Sequence, residues 1–223
     1  MIGVVIPAYD AQETIGRVAA GALKHAGSLL VVDDGSHDAT AARAESAGAV
    51  VLRHPANRGK GAALRTGFSW MLQRGAAAVI TLDADLQHDP DDIPRFTETF
   101  NSRRPDLVIG SREEAFCQMT PGRQLGNRFS CRALKFFTGL ELTDSQSGFR
   151  LYSAGFLQQL ELRRDAYDAE MEALLVAARR RCRIETIRIS TRAPDGRPTS
   201  YYRPWLDTYR ICRTVVLFSI STF

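Results

Sequence analysis

Cysteine is scarce, and the four present, Cys117, Cys131, Cys182 and Cys212, form no CxxC pair. That argues against both a zinc cage and a disulfide framework, and makes a reduced, cytoplasmic setting the expectation. Long apolar runs are missing too: no stretch approaches the roughly 20 residues that a spanning helix needs. The run from Met1 to Ile6 meets Pro7 too soon, and with too few basic residues, for a signal peptide. Histidine is rare and without metal-site spacing; His37 and His88 stand beside acidic loops and read as solvated residues. No Lys-Ser or Lys-Thr follows the glycines at P-loop spacing. Gly59-x-Gly61 lacks a third glycine, which weighs against a dinucleotide oxidoreductase. There is no internal repeat. The charge balance, 29 Lys and Arg against 25 Asp and Glu, leaves +4. So mild an excess favours an anionic partner without naming it; charge alone does not exclude nucleic acid, but none is expected.

What is present is an alternation of short apolar runs with helical patterns. Residues 2–6, 29–33, 49–52, 78–82 and 107–110 read as strands, and 13–26, 39–47, 61–74 and 91–102 as helices, with Asp38 and Asp89-Pro90 as starts. This is the signature of an α/β fold, a mostly parallel sheet flanked by helices. Ligands in such sheets bind beyond the carboxyl ends of the strands. After Ser111 the pattern becomes an elaboration: a loop over 112–121, a basic and apolar helix over 122–138, a polar motif at 144–150, a helix over 169–181, a strand over 184–191 and a turn-rich loop over 193–200.

The strand ends are acidic. Leu82-Asp83-Ala84-Asp85 closes one strand with two carboxylates two residues apart. Magnesium and manganese want oxygen ligands and are held by one or two carboxylates plus substrate phosphates, a demand that Asp-x-Asp meets. Alone, such a pair is usually a cap or a solvated turn. A second acidic end, Asp33-Asp34-Gly35-Ser36, changes the balance: two of them in one parallel sheet suggest a shared nucleotide crevice. Between them, Asn57-Arg58-Gly59-Lys60-Gly61 opens a helix, where free amides and the dipole attract phosphate.

Taken in order, Val5-Ile6-Pro7-Ala8-Tyr9-Asp10 with Glu13, Val32-Asp33-Asp34-Gly35-Ser36, Asn57-Arg58-Gly59-Lys60-Gly61, Leu82-Asp83-Ala84-Asp85-Leu86-Gln87, Gly110-Ser111-Arg112 and Asp144-Ser145-Gln146-Ser147-Gly148-Phe149-Arg150 resemble glycosyltransferase family 2. The branch they resemble most is that of the dolichyl-phosphate mannose synthases. The resemblance implies a GT-A fold in one domain over 1–200. Residues 1–111 would form the nucleotide-sugar half, 112–200 an acceptor-side elaboration, and 201–223 an amphipathic, membrane-associated segment. It also implies inverting transfer from a GDP- or UDP-linked sugar. Pro7, Ala8, Tyr9, Glu13 and Asp34 would line the nucleoside pocket, joined on the donor by Asp33, Gly59, Lys60, Ala84 and Ser147. Asp83, Asp85 and Gln87 would bind Mg2+ or Mn2+, and Arg112 and Arg150 would face the donor phosphates.

For the acceptor, Arg128, Arg132 and Lys135 alternate with Phe129, Leu134, Phe136 and Phe137, one face basic and the other apolar. That suits a polyprenyl phosphate at a membrane surface, and equally an amphipathic helix packed on the domain. By the same resemblance Arg123 would hold the lipid phosphate. A phosphate monoester is already anionic at neutral pH and needs no general base. A sugar hydroxyl does, and Asp144, Asp168 and Glu170 are the candidates. The expectation is therefore a peripheral enzyme on the inner face of the membrane. The rivals are a hydroxyl-directed glycosyltransferase of envelope polysaccharide or glycolipid synthesis, and a non-catalytic nucleotide-sugar-binding protein.

Overall fold

A computed structural model describes residues 1–112, 121–191 and 204–220, without the side chains of Arg123, Pro204, Trp205, Ser219 and Ile220. Residues 113–120 of the loop expected over 112–121, the turn-rich loop 193–200 and the run 200–203 lie outside the described residues.

Seven strands form one sheet: β1 (Ile2–Ala8), β2 (Leu29–Asp33), β3 (Val50–Arg53), β4 (Ala78–Thr81), β5 (Leu107–Ser111), β6 (Arg150–Ser153) and β7 (Ile184–Arg188). Their order is β3-β2-β1-β4-β6-β5-β7. Only β6 runs antiparallel, against β4 and β5. It departs from the expected pattern because a four-residue strand beginning with a charged residue gives almost no apolar signal. The helices are α1 (Ile15–Leu23), α2 (Thr40–Ser46), α3 (Lys60–Gln73), α4 (Ile93–Arg103), α5 (Pro121–Thr138), α6 (Ala154–Leu157), α7 (Ala169–Arg179) and α8 (Pro204–Ile220).

Alternation along the strands divides the core into two layers. Val4, Ile6, Val31 and Ile80 pack with Ile15, Val18, Ile93 and Phe96 of α1 and α4. Val5, Leu30, Val32 and Val79 point the other way, onto Leu64, Phe68 and Met71 of α3 and Leu174 and Leu175 of α7. The second layer also takes in α8 through buried Ile211 and Val215. Burial of two such side chains contributes about 1.5 to 3 kcal/mol each, enough to dock α8 on the domain. Gly126 lets α5 approach α8: a Cβ there would lie 2.6 Å from the Thr208 hydroxyl.

Candidate active site

A cleft of about 330 Å³ opens at the carboxyl ends of β1, β2 and β4. Pro7, Ala8, Tyr9, Asp34, Gly59, Lys60, Asp83, Ala84 and Asp85 line it, all of them singled out in the sequence. Asn57, Tyr167, Leu206, Asp207 and Arg210 line it as well, the last three from α8.

The electrostatic centre is Lys60. Its ammonium lies 2.6 Å from Asp83 Oδ1 and 3.0 Å from Glu170 Oε1, over the Tyr167 ring. Burial works against the charged ammonium, but the two carboxylates outweigh it and the Lys60 pKa is raised. In the same way burial would raise Asp83, yet the Lys60 charge takes it down to about 2. Asp85 goes up to about 6, first through burial and then through the charge of Asp83 beside it. Burial together with the Asp83 charge raises Glu170 as well, against the pull of Lys60. Three carboxylates, Asp83, Asp85 and Glu170, thus gather round one ammonium, and the Arg112 guanidinium that also acts on Asp83 and Asp85 is itself paired with Asp144. No group of three His, Cys, Asp or Glu side chains that could cage a metal occurs among the described residues. Asp83 and Asp85 therefore suit a hard cation that takes its other ligands from water and a diphosphate.

Glycines bring these groups together. At Gly148 a Cβ would sit 2.4 Å from Asp83 Oδ2, so the Asp83 carboxylate packs on bare main chain. The sequence offered no role for that glycine. Gly59 has φ +94°, and a Cβ there would be 2.2 Å from the Asp165 carbonyl. Its amide donates to Asp34 Oδ2 at 2.7 Å, and the Gly61 amide to the Asp165 carbonyl at 2.7 Å. Two amides expected to face phosphate are thus occupied, and the glycines serve close packing of the 164–166 segment on the α3 start.

Several expected ligands have other tasks. Arg150 is wholly buried and donates from Nε, Nη1 and Nη2 to the carbonyls of Ser147, Glu170 and Ser145 at 2.7, 2.8 and 2.8 Å. It satisfies main-chain acceptors instead of facing a phosphate. Ser147 is buried, and its hydroxyl accepts from the Phe149 amide. Asp33 is buried and accepts from the Ser36 amide at 2.9 Å while pairing with Arg53 at 3.3 Å, which fixes the turn after β2. Glu13 is exposed and does not line the cleft. Gln87 is half-buried; its main-chain N–H donates to Asp85 Oδ1 at 3.0 Å.

Arg112 grips Asp144 through Nε at 2.6 Å and Nη2 at 3.0 Å. Burial would raise Asp144, but Arg112 holds it below the usual carboxylate range, so it is no reservoir for a proton. Asp168 accepts from the Thr214 hydroxyl at 3.0 Å and ties α7 to α8 outside the cleft. The Arg123 side chain lies outside the described residues. His88, expected to be solvated, is 2% exposed and packs against Phe149 with ring centroids 5.5 Å apart. Burial brings its pKa down to about 4, so it is neutral. Lys60 with Glu170, Tyr167 and the three α8 residues carried no sequence signal of partnership, because they are distant along the chain.

Residues 3–161 match the family model described as Glycosyl transferase family 2. Among curated relatives, the UDP-N-acetylglucosamine--dolichyl-phosphate N-acetylglucosaminyltransferase of Methanococcus voltae is 31% identical, over 86% of this chain and 85% of its own. The undecaprenyl-phosphate mannosyltransferase of Micrococcus luteus is 34% identical, over 71% of this chain and 68% of its own. Among solved structures, glucosyl-3-phosphoglycerate synthase of Mycobacterium tuberculosis, crystallised with Mn2+, UDP and its product, aligns with TM-score 0.77. That alignment covers 99% of this chain and 79% of the other at 23% identity, a likeness of GT-A fold. The chain belongs to glycosyl transferase family 2 and is a glycosyltransferase.

Proposed function

We propose that the chain transfers a sugar, with inversion, from a GDP- or UDP-linked donor to a polyprenyl phosphate at a membrane surface. Residues 1–111 hold the nucleotide and 112–200 the acceptor side of one domain. Asp83 and Asp85 hold Mg2+ or Mn2+, with Gln87 beside them; the ion supplies positive charge against the donor diphosphate when bound. Lys60 and Arg112 add fixed positive charge where the leaving diphosphate becomes more negative. Pro7, Ala8, Tyr9 and Asp34 receive the nucleoside. The lipid phosphate attacks the anomeric carbon as an anion, the bond to the diphosphate breaks, and no side chain has to remove a proton.

The observation that carries the acceptor is the position of α8. Its Leu206, Asp207 and Arg210 line the cleft. Along the same helix Tyr209, Val216 and Leu217 are exposed, and on neighbouring α5 so are Leu125, Phe129, Phe136 and Phe137. Arg128, Arg132, Lys135 and Arg213 are exposed among them. An apolar and basic surface next to the cleft fits a lipid acceptor, as do relatives whose names carry dolichyl and undecaprenyl phosphate. No helix among the described residues is long and apolar enough to cross a membrane. Each basic residue near an anionic leaflet contributes about 1 kcal/mol. Sedimentation with liposomes should therefore need anionic lipid and weaken with salt. Equal sedimentation with neutral vesicles counts against surface binding.

The acceptor itself is tested by two variants assayed with polyprenyl phosphate at saturating donor. Arg123→Ala should lower acceptor-dependent turnover by about ten- to a hundredfold, the worth of a charge-assisted hydrogen bond to the phosphate. Asp168→Asn should cost less, since Asp168 lies outside the cleft and serves the contacts with Thr214 of α8 and with Arg164. A dead Asp168→Asn beside a nearly normal Arg123→Ala would replace the lipid phosphate by a hydroxyl acceptor.

A further inference from the structure

Beside the cleft, a groove of about 910 Å³ lies between α7, α8 and the segment that leads into α7. Its α8 wall is Thr214, Leu217 and Phe218. Those residues continue the helical face that begins with Asp207 and Arg210 in the cleft, so one side of α8 lines both openings. From Arg210 to Leu217 the helix rises about 10 Å.

Four arginines bring charge to the groove: Arg163, Arg164, Arg179 and Arg180. Their partners are unequal. Arg163 donates to Glu161 at 3.2 Å, and Arg164 lies 4.0 Å from Asp168. Arg180 donates to Gln159 Oε1, a neutral acceptor, at 2.6 Å, and the Arg179 guanidinium lies over the Phe218 ring, 5.6 Å from its centre. Neither of these two pairs with a carboxylate among the described residues. The remaining acid of the groove, Glu172, is 6% exposed and accepts from the main-chain N–H groups of Arg163 and Arg164 at 2.8 and 2.9 Å. It is engaged with the backbone and leaves the positive charge of Arg179 and Arg180 in place.

The end of α7 favours positive charge through the helix dipole. That attraction calls neither for a groove nor for apolar side chains at its edge, and both are present. Val216 and Leu217 are 41% and 39% exposed on the turn of α8 that borders it. A soluble anion gains nothing from them, whereas a molecule with an anionic head and an apolar tail satisfies both sets of groups. We propose that this groove seats the phosphate headgroup of an acidic phospholipid at Arg179 and Arg180, while Val216 and Leu217 enter the acyl layer beside it. The bound lipid is neither donor nor acceptor. It holds the end of α8 on the leaflet, about 10 Å along the helix from the cleft. The inference rests on the membrane-surface location proposed above and assigns a site to it.

Sedimentation of the full chain with phosphatidylcholine vesicles containing phosphatidylglycerol tests it. Arg179 and Arg180 are exposed, so Arg179→Gln/Arg180→Gln leaves the core untouched. It should weaken vesicle binding by about thirtyfold, the combined contribution of two basic residues at an anionic leaflet. Arg17→Gln/Arg43→Gln, which removes the same charge from exposed positions on α1 and α2, should bind like the parent. Leu217→Ser should lower the part of the binding that survives high salt, where charge attraction is screened. Equal losses in the two double variants would reduce the groove to diffuse charge and overturn the assignment. So would a groove variant that binds like the parent while Arg128→Gln/Arg132→Gln/Lys135→Gln on α5 does not; the membrane reading then stands and only this site falls. Inorganic phosphate that raises the Tm of the parent but not of the groove variant, with vesicle binding equal in both, would make the groove a site for a soluble anion instead. A parent protein that ignores acidic vesicles would end the membrane reading and this inference together.

Discussion

Replacing Lys60 by Met should lower the stability of the metal-free protein by about 3 to 5 kcal/mol at neutral pH, the usual cost of leaving a buried charge without its partner. Lys60 is 13% exposed, and the two carboxylates it serves, Asp83 and Glu170, are 25% and 5% exposed. Without it, both lose the charge that compensates their burial. Adding Glu170→Gln should restore a large part of the loss, because the three groups form one cluster and their effects do not add. The Lys135–Glu141 pair provides the contrast. Its members are 60% and 71% exposed, and breaking a solvated pair of that kind has little effect. Urea denaturation of the single and double variants measures the difference. A Lys60→Met protein as stable as the parent would mean that the cluster is solvated in solution.

Asp85→Asn should abolish most turnover and yet make the metal-free protein more stable. Losing a group that binds the activating cation costs about a hundred- to a thousandfold in rate. Stability moves the other way because the Asp85 pKa is raised to about 6 by burial and by the neighbouring Asp83 charge. A carboxylate whose folded pKa is raised binds more protons folded than unfolded. Its contribution to stability therefore falls as pH climbs from about 4 to about 6, and stays low above that. Asn removes this cost, with an expected gain of about 1 to 3 kcal/mol at pH 7.5, or several degrees in Tm. Below about pH 4, where both forms of the protonated chain are neutral at this position, the gain should vanish. Asp83, held down to about 2 chiefly by Lys60 against its burial, behaves oppositely: its stabilisation is present above about pH 4 and lost below. A Tm for Asp85→Asn below that of the parent at every pH would contradict the charge balance drawn for the site.

What was legible in the sequence follows from which signals are local. The five parallel strands of the first half stand out because each is a short apolar run, buried in all but the edge strand β3, and the acidic ends of β2 and β4 mark the cleft because open sheets bind ligands there. Asp83, Asp85 and Asp34 could be named in advance for that reason, Lys60 from the glycine-rich segment that opens a helix, and Tyr9 from the family resemblance. Arg150 shows where local reasoning fails. An arginine in a polar motif resembles a phosphate ligand, but this one begins a strand and is enclosed by three carbonyls that only the fold assembles. His88 misled in the same way, since nothing near it in sequence announces the Phe149 ring that covers it. The pairing of Lys60 with Glu170 and the α8 wall of the cleft depend on contacts between segments far apart in the chain, which no periodicity records.

The central claim is that Asp83 and Asp85 hold a divalent cation against the donor diphosphate. It is tested most directly by calorimetric titration of a nucleoside diphosphate-sugar into the parent protein and Asp85→Asn, each with Mn2+ and then with excess chelator. The parent should lose most of its donor affinity in chelator, while Asp85→Asn should bind weakly in both conditions and respond little to the metal. Donor affinity in the parent that is unchanged by chelation would contradict the claim.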